Sequence, residues 1–261
     1  MAEALTLSLI IGIFVGLSAG YLGSLMILKK MALVGDALSH VALPGLALGI
    51  LFNFDPFFGA FAILFGSAVV IWHLGRVTRL SFETLVGAMF TLALAVGILM
   101  IPEAELLEAL FGDITKVTLL DTVLAIVISL IAIGLTRLIY NKIILGMISE
   151  DLAISDGVNI SRINLAYLLL VSLVVAIGIK IVGTLLVGFL VIVPAAAARN
   201  MSPNLFRYAV LSAVFGAMSS FSGVLLSGYM DLPAGPLVVL AGIVIFLATV
   251  FAKWKLKIDA Y

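Results

Sequence analysis

Residues 31–51 read MALVGDALSHVALPGLALGIL. The stretch is long and apolar enough to cross a bilayer as one helix. It nevertheless carries Asp36 and His40 near its middle, and Pro44 just beyond them. Positions four apart lie on one face of an α-helix, so the carboxylate and the imidazole point the same way. Ionisable groups inside a membrane are costly and mark a pathway or a site. Carboxylate oxygen with imidazole nitrogen suits a divalent metal such as zinc or manganese. Pro44 has no N–H to give to the carbonyl of residue 40. That carbonyl is expected to be free and the helix bent there, as in the broken helices that form midplane substrate sites in transporters. Three donors fall short of a closed four-ligand zinc site. They suit transient binding, completed by another helix or a second copy of the chain. The alternative is a structural Asp36–His40 hydrogen bond at a helix interface.

Composition sets the class. Of 261 residues, 64% are hydrophobic and 11% charged, less than half the share of an ordinary soluble domain. The mean hydropathy of +1.35 places most of the chain in lipid, because a soluble core of this size would not enclose so much apolar surface. With no cysteine there is no disulfide, thiolate metal site or cysteine nucleophile. Lys and Arg balance Asp and Glu, so net charge says nothing about partners. The N-terminus lacks the basic region of a secretory signal, and the first apolar stretch is expected to remain as a span.

Hydropathy predicts an all-α polytopic membrane protein. The candidate spans are 5–28, 31–51, 57–75, 82–101, 119–140, 163–179, 184–198, 208–227 and 236–252. The sixth and seventh are the shortest, and a count of eight is an open alternative. With the N-terminus outside and the C-terminus cytoplasmic, twelve of the fourteen basic residues fall inside, leaving Lys116 and Lys180 outside. The outer face then gathers Glu3, Asp55, Glu103, Glu105, Glu108, Asp113, Asp121 and Asp231, which concentrate cations within a Debye length of about 8–10 Å.

Two connections carry structure of their own. Residues 102–117 mix apolar and acidic side chains, as in a short interfacial helix ended by Gly112-Asp113. On the inner side, Ser149 can cap a helix whose first turn holds Glu150 and Asp151, with Gly157 as its stop. A free connector has no need of such caps, whereas a docking element does. His73, beside Trp72 and Arg76 at a span end, reads as an interfacial anchor. Glycines at 12, 16 and 20, at 45 and 49, and at 183 and 188 read as close helix packing.

Several chemistries are missing. There is no Gly-x-x-x-x-Gly-Lys-Ser/Thr phosphate loop, so any ATP must be bound by another polypeptide. There is no His-Glu-x-x-His protease motif and no Gly-x-Ser-x-Gly elbow, and the chain is not expected to be an enzyme. No basic patch with interleaved aromatics suggests nucleic acid.

The run Gly35-Asp36-Ala37-Leu38-Ser39-His40-Val41-Ala42-Leu43-Pro44-Gly45 closely resembles the signature of the zinc/manganese/iron ABC transporter permeases, the ABC-3 family. Leu110-Phe111-Gly112-Asp113-Ile114 is similar to that family's outer Leu-Phe-Gly motif. Residues 180–187, with Val193-Pro194-Ala195-Ala196, are similar to its late motif. The resemblance implies one transmembrane permease domain over 1–261, with Asp36 and His40 handling the metal. It also implies a cytoplasmic coupling helix near 148–158, with Glu150, Asp151, Leu152, Ala153, Asp156 and Gly157 engaging the ATPase. The implied partners are a second copy of the chain, two ATP-binding subunits that bind the ATP, and an extracytoplasmic metal-binding protein. The implied cargo is Zn²⁺ or Mn²⁺, with no cofactor bound permanently.

The reading is thus a permease subunit of an ATP-driven importer in a prokaryotic plasma or inner membrane. One alternative is a permease for a metal chelate or vitamin, which needs a wide aromatic-lined cavity. Only two tryptophans and six tyrosines are available for one. The other is an ATP-independent ion-coupled carrier, which leaves the capped inner helix without a role.

Overall fold

A computed structural model of the protein describes residues 2–78, 80–101, 105, 109–112 and 117–256. The described residues form eleven principal helices and no strand. They are α1 (Ala2–Leu28), α2 (Ala32–Val41), α3 (Leu43–Leu51), α4 (Pro56–Thr78), α5 (Phe82–Met100), α6 (Leu119–Ile148), α7 (Glu150–Ser155), α8 (Ile160–Val182), α9 (Thr184–Met201), α10 (Leu205–Met230) and α11 (Ala234–Leu256). Lipid offers no partner to a backbone N–H or C=O, so an apolar chain of this kind satisfies its backbone within helices. Eight spans are long and apolar enough to cross a membrane, α2 and α3 counting together as one, and α9 is a shorter ninth apolar helix. The protein is a multi-pass membrane protein, and the expected span order stands.

The helices run past the hydropathic boundaries. α6 continues through Arg137, Asn141 and Lys142 to Ile148. α8 starts at Ile160, where the Asn159 side chain accepts the Arg162 N–H at 3.0 Å. α10 starts at Leu205, where Asn204 accepts the Arg207 N–H at 2.9 Å. Hydropathy follows the change of solvent, while the caps mark where helical hydrogen bonding begins. The expected interfacial helix at 102–117 lies largely outside the described residues. Ala109–Leu110–Phe111 is helical there, and Gly112 follows at a φ of +73°.

Side-chain contacts show which helix ends lie together. At one end Lys29 donates to Asn164 (2.6 Å), the Trp72 indole N–H to Ser161 (2.9 Å) and Asn200 to Thr249 (3.2 Å). At the other, Lys180 meets both Asp55 and Asp121, and the Thr184 hydroxyl donates to the Ala109 carbonyl (3.0 Å). α9 therefore runs from one end to the other despite its length. At the centre α1 lies along α10. A Cβ on Gly16 would overlap the Gly216 backbone, so the two helices touch through small residues. Tyr167 of α8 is fully buried against α1 and donates to the Leu22 carbonyl at 2.7 Å.

Candidate metal site and docking surface

The span at 31–51 is broken, as the proline requires, and the break lies at Ala42. Pro44 occupies the first turn of α3, where its missing N–H costs nothing. The Ala42 N–H turns back toward the carbonyls of Ser39 and His40, so the residue-40 carbonyl is less bare than the sequence implies. α2 packs against α9 and α5, while α3 packs against α4 and α5. The break thus lets one span follow two sets of neighbours.

Asp36 backs onto α9 at Gly188. A Cβ there would overlap the Asp36 backbone, so only glycine permits this approach. His40, one turn on, is buried, and its ring lies edge-on to Phe90 of α5 at 5.3 Å between centroids. The buried Ser39 hydroxyl is spent on the Asp36 carbonyl at 2.6 Å. The side chains of Asp36 and His40 are not spent. His40 Nδ1 is buried with no hydrogen-bond partner. Among the described residues, no hydrogen bond or ion pair engages the Asp36 carboxylate, so the structural Asp36–His40 hydrogen bond is absent. Buried polar groups are nearly always paired, and an orphaned one calls for an explanation. No group of three or more His, Cys, Asp or Glu able to hold a metal is found among the described residues. The site offers an oxygen and a nitrogen with free lone pairs and nothing that closes it. His73 is exposed on α4, in keeping with an anchor.

The capped inner segment forms α7. Ser149 accepts the Leu152 N–H at 3.3 Å, and the N–H groups of Gly157 and Val158 close the far end on Ile154 and Ala153. Gly157 takes a φ of +75°, where a side chain is disfavoured. Ala153 and Val158 are buried and fasten α7 to the body. Leu152 and Ile154 are 58% and 63% exposed, with Glu150, Asp151 and Asp156 exposed around them. An exposed apolar pair framed by acids is thus left on the surface of α7. Of the six residues expected to engage a partner, Ala153 is the one turned inward.

One constellation escaped sequence reasoning. The Lys180 ammonium lies 3.1 Å from Asp55 and 2.6 Å from Asp121, beside a cavity of about 540 Å³. The two aspartates, expected to belong to a diffuse acidic face, thus share one ammonium. The available signal was Lys180 itself, one of two basic residues on the wrong side of the charge bias.

Known proteins resemble this chain along nearly its whole length. The model of the ABC 3 transport family matches residues 1–253. The chain is 33% identical over 250 residues to the manganese transport system membrane protein MntC of Listeria monocytogenes, covering 94% of this chain and 89% of the relative. It is 31% identical to the high-affinity zinc uptake system membrane protein ZnuB of Buchnera aphidicola, covering 93% and 95%. Among solved structures, PsaBC from Streptococcus pneumoniae in complex with Fab superposes with a TM-score of 0.84 at 30% identity, covering 98% of this chain and 95% of that one. An inward-facing putative metal-chelate type ABC transporter shares the fold, with a TM-score of 0.77 at 18% identity. The chain belongs to the ABC 3 transport family.

Proposed function

We propose that this chain is the permease subunit of an ATP-driven importer that passes Zn²⁺ or Mn²⁺ across a prokaryotic cell membrane by alternating access. The observation that carries the reading is the pair of unspent donors at the helix break, Asp36 and His40. A divalent ion supplies what they lack, and two ligands hold it loosely enough to let it go. A second copy of the chain, facing the same path, supplies further donors. The end bearing Lys29, Arg76 and α7 is the cytoplasmic one, because most basic residues gather there. Two ATP-binding subunits dock on α7 through Leu152 and Ile154, with Glu150, Asp151, Asp156 and Gly157 shaping the contact. An extracytoplasmic metal-binding protein delivers the ion to the opposite end. The lipid bilayer covers the apolar flanks, and no cofactor is retained.

The test is metal uptake into proteoliposomes holding the chain with its ATPase and binding protein, Zn²⁺ compared with Mn²⁺. Asp36→Ala and His40→Ala are each expected to abolish ATP-dependent uptake while assembly with the ATPase survives. Full uptake by both variants overturns the reading. The ion carried by the wild type identifies the cargo.

A further inference from the structure

At the end opposite α7, one ammonium ties three helices together. Asp55 stands at the corner between α3 and α4. Its Oδ1 accepts the Phe57 N–H at 2.9 Å and its Oδ2 receives Lys180 at 3.1 Å. Asp121 stands in the first turn of α6, where Oδ2 accepts both the N–H (3.0 Å) and the hydroxyl (2.8 Å) of Thr118. Its Oδ1 receives Lys180 at 2.6 Å. The Asp121 side chain is 5% exposed, whereas Lys180 and Asp55 are 27% and 38% exposed. Lys180 is in the last turn of α8. The chain then turns at Gly183, with a φ of +76°, and enters α9. A Cβ at Gly183 would overlap the Leu110 backbone, so the turn is seated on the Leu-Phe-Gly segment. The next turns of α9 bring Gly188 against the Asp36 backbone.

These contacts form a continuous path from the ion triad to one of the two unspent donors. Anything that moves the end of α8 moves the start of α9, and α9 is the wall behind Asp36. The triad is well placed to move. Two of its three members are partly exposed, and it borders the roughly 540 Å³ cavity that Leu46, Ile50 and Glu105 also line. It is also selective in how it moves, because withdrawing Lys180 leaves Asp121 buried without its counter-charge, the costly way to break such a pair.

We propose that Asp55, Lys180 and Asp121 form a latch, with Lys180 a positioning residue for the metal path. Closed, the latch pins the outer ends of α4, α6 and α8 and holds α9 behind Asp36. Open, it lets the outer end of the path part and α9 withdraw. The proposal rests on the metal-permease reading, and its test separates the two.

Proteoliposomes of the purified chain with its ATPase are loaded with Mn²⁺ or Zn²⁺ and a metal-sensitive dye, and loss of metal is followed without ATP. The wild type and Lys180→Arg are expected to hold their metal. Lys180→Met is expected to leak on the order of tenfold faster or more, since losing one partner of a buried pair strongly favours the open arrangement. Asp55→Asn, which cuts one arm and leaves the Asp121 arm, is expected to leak at an intermediate rate and covers the case in which Lys180→Met does not assemble. Adding His40→Ala to the leaking variant is expected to slow the leak, placing it on the metal path. A static rivet changes thermal stability alone. An assembled Lys180→Met or Asp55→Asn that holds its metal as the wild type does, with coupled uptake intact, overturns the latch. A wild type that takes up neither ion overturns the permease reading instead.

Discussion

Two sets of ionisable side chains lie in the same apolar body and are treated in opposite ways. At the end opposite α7, Asp55 and Asp121 share the Lys180 ammonium, and Asp121 also takes two hydrogen bonds from Thr118. In mid-span Asp36 and His40 stand one turn apart, and among the described residues no hydrogen bond engages the carboxylate or Nδ1. A buried charge that is fully paired holds structure together. A buried polar atom left unpaired, such as His40 Nδ1, carries a cost that a bound ion would offset. The contrast separates charges spent on one another from side chains left open to a ligand.

The sharpest way to break this comparison is to delete the unpaired set. Asp36→Ala and His40→Ala are each expected to reduce uptake to background. Neither removes a hydrogen bond, so thermal unfolding in detergent is expected to stay at the wild-type temperature or rise slightly. A large fall in unfolding temperature would show that these residues are fasteners after all.

The paired set is expected to respond the other way. Asp121→Ala removes the deep arm of the ion triad and the capping box at the start of α6. A loss of about 1–2 kcal/mol is expected, chiefly from the lost cap, because Lys180 keeps Asp55 and is partly exposed. Thermal unfolding, read beside Asp36→Ala, checks it. Equal stability of the two variants would erase the distinction.

The fold was legible because hydropathy reports lipid exposure directly, and the nine apolar runs became eight candidate spans and one shorter apolar helix. Where helices end was less legible. Asn141 and Lys142 lie past the hydropathic boundary at 140, yet α6 passes through both because a helix needs only its own backbone partners. Asp36 and His40 were legible because their spacing is local, one turn on one helix. That Gly188 backs Asp36, and that Phe90 stacks on His40, depends on how α9 and α5 lie against α2, which no local pattern records. The same holds for Asp55 and Lys180, which are 125 residues apart and meet only in the fold.

Gly188→Ala tests the geometry behind the unpaired set by crowding Asp36 from α9, at its backbone and at one carboxylate oxygen, while leaving both residues in place. The added methyl group meets the Asp36 backbone, and overpacking of this kind costs about 1–3 kcal/mol. Because α2 must shift to admit it, uptake is expected to fall roughly tenfold, with the loss in affinity for the metal more than in ATPase assembly. The half-saturating metal concentration checks it. Unchanged uptake would mean that α9 does not set the position of Asp36.

The smallest effect concerns a third kind of charge, half-way between the two sets. Lys29, just past α1, donates to Asn164 at 2.6 Å and lies 5.5 Å from the Tyr167 ring centre, but has no carboxylate partner among the described residues. Burial pulls its ammonium down from 10.5 to about 8. Between those values the unfolded chain holds a proton that the folded chain has shed, so stability rises with pH there. Below about 8 both states are charged and the folded state bears the whole burial penalty. Lys29→Met removes the titrating group and is expected to flatten this rise while leaving uptake in place. Unfolding temperatures measured from pH 7 to 10 check it. A slope that survives the substitution would assign it to another group, and Lys29 would then join the satisfied set, its amide and ring contacts standing in for the missing carboxylate.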